Sequence, residues 1–186
     1  MISYSEIIEN NNLVEVVFNN RQLELINLLK RSILTKVESY AIEYVSFDVN
    51  TSQRIDEILA HRFGLLVIDN QKYVHSELPV HVYVKGPYSF TTDDISEIPF
   101  TYKTPICELK NNQVIDCYLY IKKGKGEDHV KFKSTSCLRI EEDKNKNYVL
   151  KFKNIGLLSS KEIIEQGIKA MPETNKRSKI FDNFNY

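Results

Sequence analysis

Between Gln22 and Lys36 the chain runs without proline or glycine, and Leu25, Ile26, Leu28, Leu29 and Ile33 fall on one broad face while Glu24, Asn27 and Lys30 face away. Before it lies Leu13-Val14-Glu15-Val16-Val17-Phe18, rich in β-branched residues and closed by Asn19-Asn20, which reads as a strand ending in a turn. After it, residues 41–49 alternate apolar with polar at period two, as a half-buried strand does. A switch from period two to 3.6 and back restricts the chain to a mixed fold, because a pattern of one period cannot bury its apolar set in the other conformation. The apolar face is also wide for so short a helix, which predicts burial against more than one surface.

A second helix is predicted from Arg54 to Leu65, with Ile55, Ile58, Leu59 and Arg62 at helical spacing, Asn50 or Ser52 capping its start and Gly64 near its C-cap. Beyond it the chain reads as mainly β. His81–Lys85 ends in Gly86-Pro87, Thr92–Ile95 forms a turn, and Val114–Lys122 places Ile115, Cys117, Leu119 and Ile121 on one face. Lys123-Gly124-Lys125-Gly126 is expected to be a flexible basic loop, and Tyr148–Phe152 a late strand. Ser159-Ser160-Lys161-Glu162 caps a last helix, Glu162 to Met171, stopped by Pro172.

At 186 residues, one domain or one domain with a large insertion is expected. Lys plus Arg and Asp plus Glu both number 25, which removes the overall basic excess of an autonomous nucleic-acid-binding module. The charge is unevenly spread: residues 143–186 carry 9 basic and 5 acidic side chains, including Lys151, Lys153, Lys161, Lys169, Lys176, Arg177 and Lys179. A solvated face and tail account for that excess more simply than a nucleic-acid surface. No apolar run approaches the ~18 residues that cross a bilayer, and the N-terminus lacks a basic and apolar leader, so an intracellular chain with no membrane partner is expected. Cys107, Cys117 and Cys137 are widely spaced with no C-x-x-C pair, and read as reduced packing residues rather than disulfides or a zinc site.

Few constellations suggest chemistry. Glu57 and His61 are i, i+4 neighbours, which is half a metal or acid/base site at best. A structural Glu-His contact is the simpler expectation. Lys122-Lys123-Gly124-Lys125-Gly126 has glycine and charge but neither phosphate-binding spacing, so a turn with solvated lysines is expected. No nucleophile elbow occurs.

Two stretches together carry more information. Ile26-Asn27-Leu28-Leu29-Lys30-Arg31-Ser32-Ile33-Leu34, followed by Asn50-Thr51-Ser52 and Asp56-Glu57-Ile58-Leu59-Ala60-His61-Arg62-Phe63-Gly64-Leu65, resembles the alpha/D-like assembly subunit of multisubunit DNA-directed RNA polymerases, the third-largest subunit in the eukaryotic enzyme. Lys122–Phe132 is similar to a later K-K-G-x-G-x-x-H-x-K segment of that family, and Asn154–Ser159 to the turn into its final helix. The resemblance spans about residues 13 to 171 in order.

The resemblance implies an α+β fold in which a discontinuous dimerisation domain, 1–49 plus 143–186, is interrupted by a mainly-β insert, 50–142. It implies that Ile26, Leu29 and Ile33 face an apolar seam shared with a small alpha-like subunit, and that Asn27 of the same motif is a partner contact. Lys30 and Arg31 stand at paired-arginine positions that contact the second-largest subunit or close the dimer. Asn50, Glu57, His61 and Arg62 order the domain junction and its docking surface on a large subunit. The function so implied is a non-catalytic scaffold that nucleates assembly of the two large catalytic subunits, with further small subunits as partners and DNA met only through the complex. A repurposed alpha-like interaction module and a small hydrolase using Glu57 and His61 are the competing readings. The cysteine-rich loop that binds a metal or cluster in many relatives has no counterpart before Pro79, so no cofactor and no metal is expected. No second alpha-like half is read after it, so the partner is expected to come from a separate chain. The Asn-, Lys- and Ile-rich composition suggests a divergent viral form, with a nuclear location or a viral factory and virion.

Overall fold

The computed structural model describes residues 4–18, 23–143 and 147–172. In chain order the elements are β1 (Tyr4–Asn10), β2 (Leu13–Phe18), α1 (Leu23–Lys36), β3 (Glu38–Asn50), α2 (Asp56–Gly64), β4 (Val80–Lys85), β5 (Tyr88–Thr91), β6 (Pro105–Leu109), β7 (Val114–Lys125), β8 (Thr135–Glu142), β9 (Tyr148–Asn154) and α3 (Ser160–Lys169). Short 3-10 turns stand at Thr92–Asp94 and Val130–Phe132. The fold is α+β, and its paired strands are antiparallel throughout. The turn expected at Asn19-Asn20 and the basic residues Lys176, Arg177 and Lys179 lie outside the described residues.

Two cores organise the chain. In the first, a four-stranded sheet in the order β1-β2-β9-β8 offers one face to α1 and α3. Val14, Val16 and Phe18 alternate inward along β2 and meet Leu150 and Phe152 of the neighbouring β9. On the outer face Lys151 bridges Glu15 at 2.9 Å and Glu141 at 3.1 Å, tying β2, β9 and β8 across the sheet. Strand β1 is an addition to the sequence reading. Asn11 (φ 47°) and Asn12 (φ 66°) form the tight turn that folds it back on β2, a left-handed pair that asparagine tolerates better than most residues.

The second core is built on the three-stranded sheet β3-β7-β4, the β5-β6 hairpin and α2. Ile115, Cys117 and Leu119 of β7 point inward as their alternation predicts, against Ile42, Val82, Phe63 and Phe90. Cys107 and Cys117 are packing residues here, and burial pushes the Cys117 thiol up to about 12, out of the range of a free nucleophile. Cys137 departs from the packing expectation: it is exposed, at a bulge of β8 with φ 54°.

Two further expectations are corrected. Lys123-Gly124-Lys125 is not a flexible loop but the end of β7, paired with Glu38, Ser39 and Tyr40 of β3. Gly124 is required because the Phe132 ring lies over it: a Cβ there would stand 2.5 Å from the ring. Neither Asn50 nor Ser52 caps α2, whose N-cap is Ile55 with no side-chain bond. Residues 135–142 form β8 and pair with β9.

The cores are clasped through the turn that enters α3. Asn154 donates to the Leu158 carbonyl (3.0 Å) and to Ser160 Oγ (2.9 Å), and accepts from Gly156 N–H (2.9 Å). Gly156 sits at φ 97°, a conformation that costs a side-chain-bearing residue about 1 kcal/mol or more, and a Cβ would meet Thr101 Cγ2 at 2.7 Å. From the other core Asn70 N–H reaches the Leu157 carbonyl (3.0 Å), Thr101 Oγ1 the Gly156 carbonyl (2.8 Å) and Tyr102 OH the Ile155 carbonyl (3.0 Å).

Ser159 is the N-cap read from sequence, completed as a capping box by Glu162, which also accepts from Gln71 Nε2 at 3.1 Å. The Ser159 hydroxyl holds the Glu162 carboxyl below its ordinary 4.5, with help from Gln71 and against partial burial. A carboxylate whose folded pKa is depressed stabilises the fold fully above its unfolded value, and that contribution is lost as pH falls through the folded one. Glu162→Gln is therefore expected to lower the melting temperature at pH 7 and to flatten its fall below pH 4.5. Parallel thermal melts of the two proteins across pH 3–7 measure this; curves of equal slope would refute the coupling.

Candidate partner-binding site

The α1 helix has no glycine or proline, and of the apolar face read from spacing Ile26, Leu29 and Ile33 are buried, with Ser32 beside them, while Leu25 and Leu28 are half-buried. What covers the stripe differs from expectation. Ile26 and Leu29 are fully buried and Ile33 is 4% exposed, all within this chain, against β2, β9 and Ile163 and Ile164 of α3. Gly167 lets the helices cross closely, since a Cβ on it would stand 2.5 Å from Ile33 Cγ1 and 3.2 Å from Leu29 Cδ1. These three residues hold the chain's own core and do not line an open seam. The physical reason is that α3 and the sheet already occupy the side to which the stripe points.

The face α1 leaves open is different. Leu23, Asn27 and Arg31 are exposed, with Leu28, Lys30 and Leu34 half-buried beside them. The side chains of Asn27, Lys30 and Arg31 make no hydrogen bond or ion pair among the described residues. An amide and two cations between leucines, with no internal partner, can satisfy themselves only with water or another molecule. Arg31 and Leu28 also border a groove of about 300 Å³ between α1 and the end of α3, closed by Ala170 and Pro172.

On α2 the inward residues are Leu59 and Phe63, both fully buried, with the Phe63 ring 6.2 Å from Phe90. Ile55, Ile58 and Leu65, expected from spacing or position to pack the helix, are 62%, 46% and 48% exposed. They form an apolar strip beside the exposed Glu57 and His61. The expected Glu57–His61 contact does not form: neither side chain has a hydrogen bond or ion pair among the described residues. Without an orienting partner His61 lacks the arrangement of a general base, and the hydrolase reading loses its constellation.

Asn50 and Arg62 are internal organisers. Asn50 Nδ2 donates to the Arg54 carbonyl (2.8 Å) and Asp56 Oδ1 (2.7 Å), and its Oδ1 accepts from Ser52 N–H (3.0 Å), so Asn50-Thr51-Ser52 builds the turn that aims α2. Arg62 Nη2 donates to the Pro105 carbonyl at 2.8 Å and ties α2 to β6. Its guanidinium is thus engaged within the chain.

Sequence reasoning missed Leu23, Ile58 and Leu65 as surface residues. Spacing reports which residues share a stripe, and an apolar strip at the margin of a short helix is indistinguishable from its core face until the neighbours are in place.

No family model matches the chain. Among curated proteins it is 29% identical over 152 residues to the DNA-directed RNA polymerase subunit Rpo3 of Methanocaldococcus jannaschii, covering 78% of each chain. It is 26% identical over 168 residues to the DNA-directed RNA polymerase II subunit RPB3 of Schizosaccharomyces pombe, covering 71% of this chain and 57% of that one. With Rpo3 of Pyrococcus horikoshii the identity is 32% over 120 residues, 57% and 46% of the two chains. The chain thus spans most of the first relative but only about half the length of the other two. Over most of its length the chain is thus similar to the Rpo3 and RPB3 subunits of DNA-directed RNA polymerases.

Proposed function

We propose that the chain is a non-catalytic scaffold subunit of a multisubunit DNA-directed RNA polymerase. The observation that carries this reading is the order-preserving similarity to Rpo3 and RPB3 over most of the chain. In this reading residues 1–49 and 143–186 form the dimerisation domain around α1 and α3 and residues 50–142 its insert, with β8 from the end of the insert completing the four-stranded sheet and β3 lending its strand to the second core. The open face of α1, with Leu23, Asn27, Leu28 and Arg31, receives a small alpha-like subunit supplied as a separate chain. An obligate interface of that kind buries about 2,000 Å² or more, so Leu28 and Leu23 are its apolar centre and Asn27, Lys30 and Arg31 its polar contacts.

The strip Ile55, Ile58 and Leu65 with Glu57 and His61 docks on a large catalytic subunit, held at its angle by Asn50 and Arg62. Template, metal ions and nucleotides belong to the large subunits, other small subunits complete the assembly, and this chain meets DNA only through the complex. Its place is wherever that polymerase transcribes: the nucleus, or, for a viral enzyme that the Asn-, Lys- and Ile-rich composition fits, a cytoplasmic factory and the virion. Affinity purification of the tagged chain from its source at moderate salt, with mass spectrometry of what is retained, tests the proposal. Two very large subunits and one small alpha-like chain in equal amounts are expected. A lone homodimer would overturn it in favour of a repurposed interaction module.

A further inference from the structure

Where the C-terminal ends of α1 and α3 meet the end of β7, an open groove of about 590 Å³ is lined by Lys36, Glu38, Lys123, Lys125, Gln166 and Lys169. Four lysines converge there from three elements far apart in sequence. Lys36 and Lys169 each close the last turn of a helix, where free carbonyls favour a cation. That effect does not account for Lys123 and Lys125, which the β3–β7 register brings to the same place.

The groove holds more donors than it can use. Lys36 Nζ is matched, at 2.9 Å and 2.6 Å from the two oxygens of Glu127. Lys123 Nζ is 2.9 Å from Glu38, whose carboxyl this hydrogen bond holds below its ordinary range. Lys125 is left with the same carboxylate at 3.9 Å, beyond hydrogen-bond reach. Lys169 is exposed and has no anion among the described residues. Gln166 is oriented by accepting the Glu38 backbone N–H through Oε1 at 3.1 Å, which leaves its NH2 group without an acceptor among them. Two ammonium groups and one primary amide thus share a concave site around one carboxylate already in use.

We propose that this groove binds the carboxylates of an acidic, Asp- or Glu-rich protein segment. A short carboxylate-bearing segment fits better than nucleic acid for two reasons. Glu38 fixes a negative charge in the groove, which opposes a continuous run of phosphates, and the chain's formal net charge of zero supplies no extended basic field to track a backbone. Individual carboxylates can instead alternate between Lys125, Lys169 and the Gln166 amide and leave Glu38 with Lys123. The proposal does not depend on which complex the chain joins. It gives a role to the Lys-Lys-Gly-Lys-Gly segment, whose glycine admits Phe132 on one side while its lysines line the groove on the other.

The test is fluorescence anisotropy with the full chain and two labelled probes, a twelve-residue glutamate peptide and a twelve-nucleotide oligothymidylate, over a salt series. The glutamate peptide is expected to bind, more weakly as salt rises. Lys125→Glu with Lys169→Glu should weaken it at least tenfold, and Lys125→Gln with Lys169→Gln by a smaller factor. Lys161→Glu, on the outer face of α3 beside Glu165, should leave it unchanged. Circular dichroism melts of each variant confirm an intact fold, since Lys125 and Lys169 lie at the surface. Failure of the peptide to bind, equal binding by the double charge-reversal variant, or displacement of the peptide by equimolar oligothymidylate would each overturn the proposal.

Discussion

Leu29→Asp is expected to leave the chain unfolded, while Leu28→Asp, one residue away, leaves it folded and unable to hold a small alpha-like partner. Leu29 is fully buried between β2, β9 and α3. Truncating such a leucine costs about 2–5 kcal/mol, and an unpaired carboxylate in the same space adds several more. The sum approaches the ~5–15 kcal/mol that holds a whole domain together. Nothing nearby can relieve it, because α3 lies so close that a Cβ on Gly167 would stand 3.2 Å from Leu29 Cδ1. Leu28 is half-buried on the groove side of α1, where an aspartate remains hydrated and the fold loses about 1 kcal/mol or less. Circular dichroism of the two variants, with co-expression pull-down of the partner, separates core from interface. A folded Leu29→Asp protein would contradict the packing described, and a Leu28→Asp protein that still pairs would remove the open face of α1 from the assembly.

Phe63→Ala should produce the next largest loss of stability, with Ile58→Glu as its surface counterpart on the same helix. Phe63 is fully buried and tilts against Phe90 at 6.2 Å, so removing the ring costs about 3–5 kcal/mol. For a chain of this size that is a fall of roughly 10 °C in melting temperature. Ile58 is 46% exposed, and a glutamate there should leave the melting curve within about 1 °C. In the purification described above, Ile58→Glu is expected to retain the small partner and lose the large subunits. Retention of the large subunits would exclude the α2 strip as a docking surface. Destabilisation of Ile58→Glu on the scale of Phe63→Ala would mean that the residue is core.

The elements that periodicity dictates form where expected. The helices begin within about two residues of their expected starts, and β2, β3, β7 and β9 lie where β-branched alternation places them. Ser159 is legible as a cap because capping is local chemistry, a hydroxyl reaching the third amide on. Strands β1 and β8 are not legible, because Tyr4–Asn10 and Thr135–Glu142 alternate weakly and owe their conformation to the partners that pair with them.

The same division runs through the candidate site. Local pattern alone determined that α1 and α2 are amphipathic, that Asn50-Thr51-Ser52 precedes a helix, and that the chain lacks a recognisable catalytic motif. Only the tertiary structure decided that Ile26, Leu29 and Ile33 are consumed by the chain's own α3, that Ile58 and Leu65 stay outside, and that Arg62 is engaged by Pro105. It also decided that lysines 36, 123, 125 and 169 share one groove. Apolar spacing specifies that a face must be buried, whereas what buries it depends on contacts between residues more than a hundred positions apart, which no local pattern encodes.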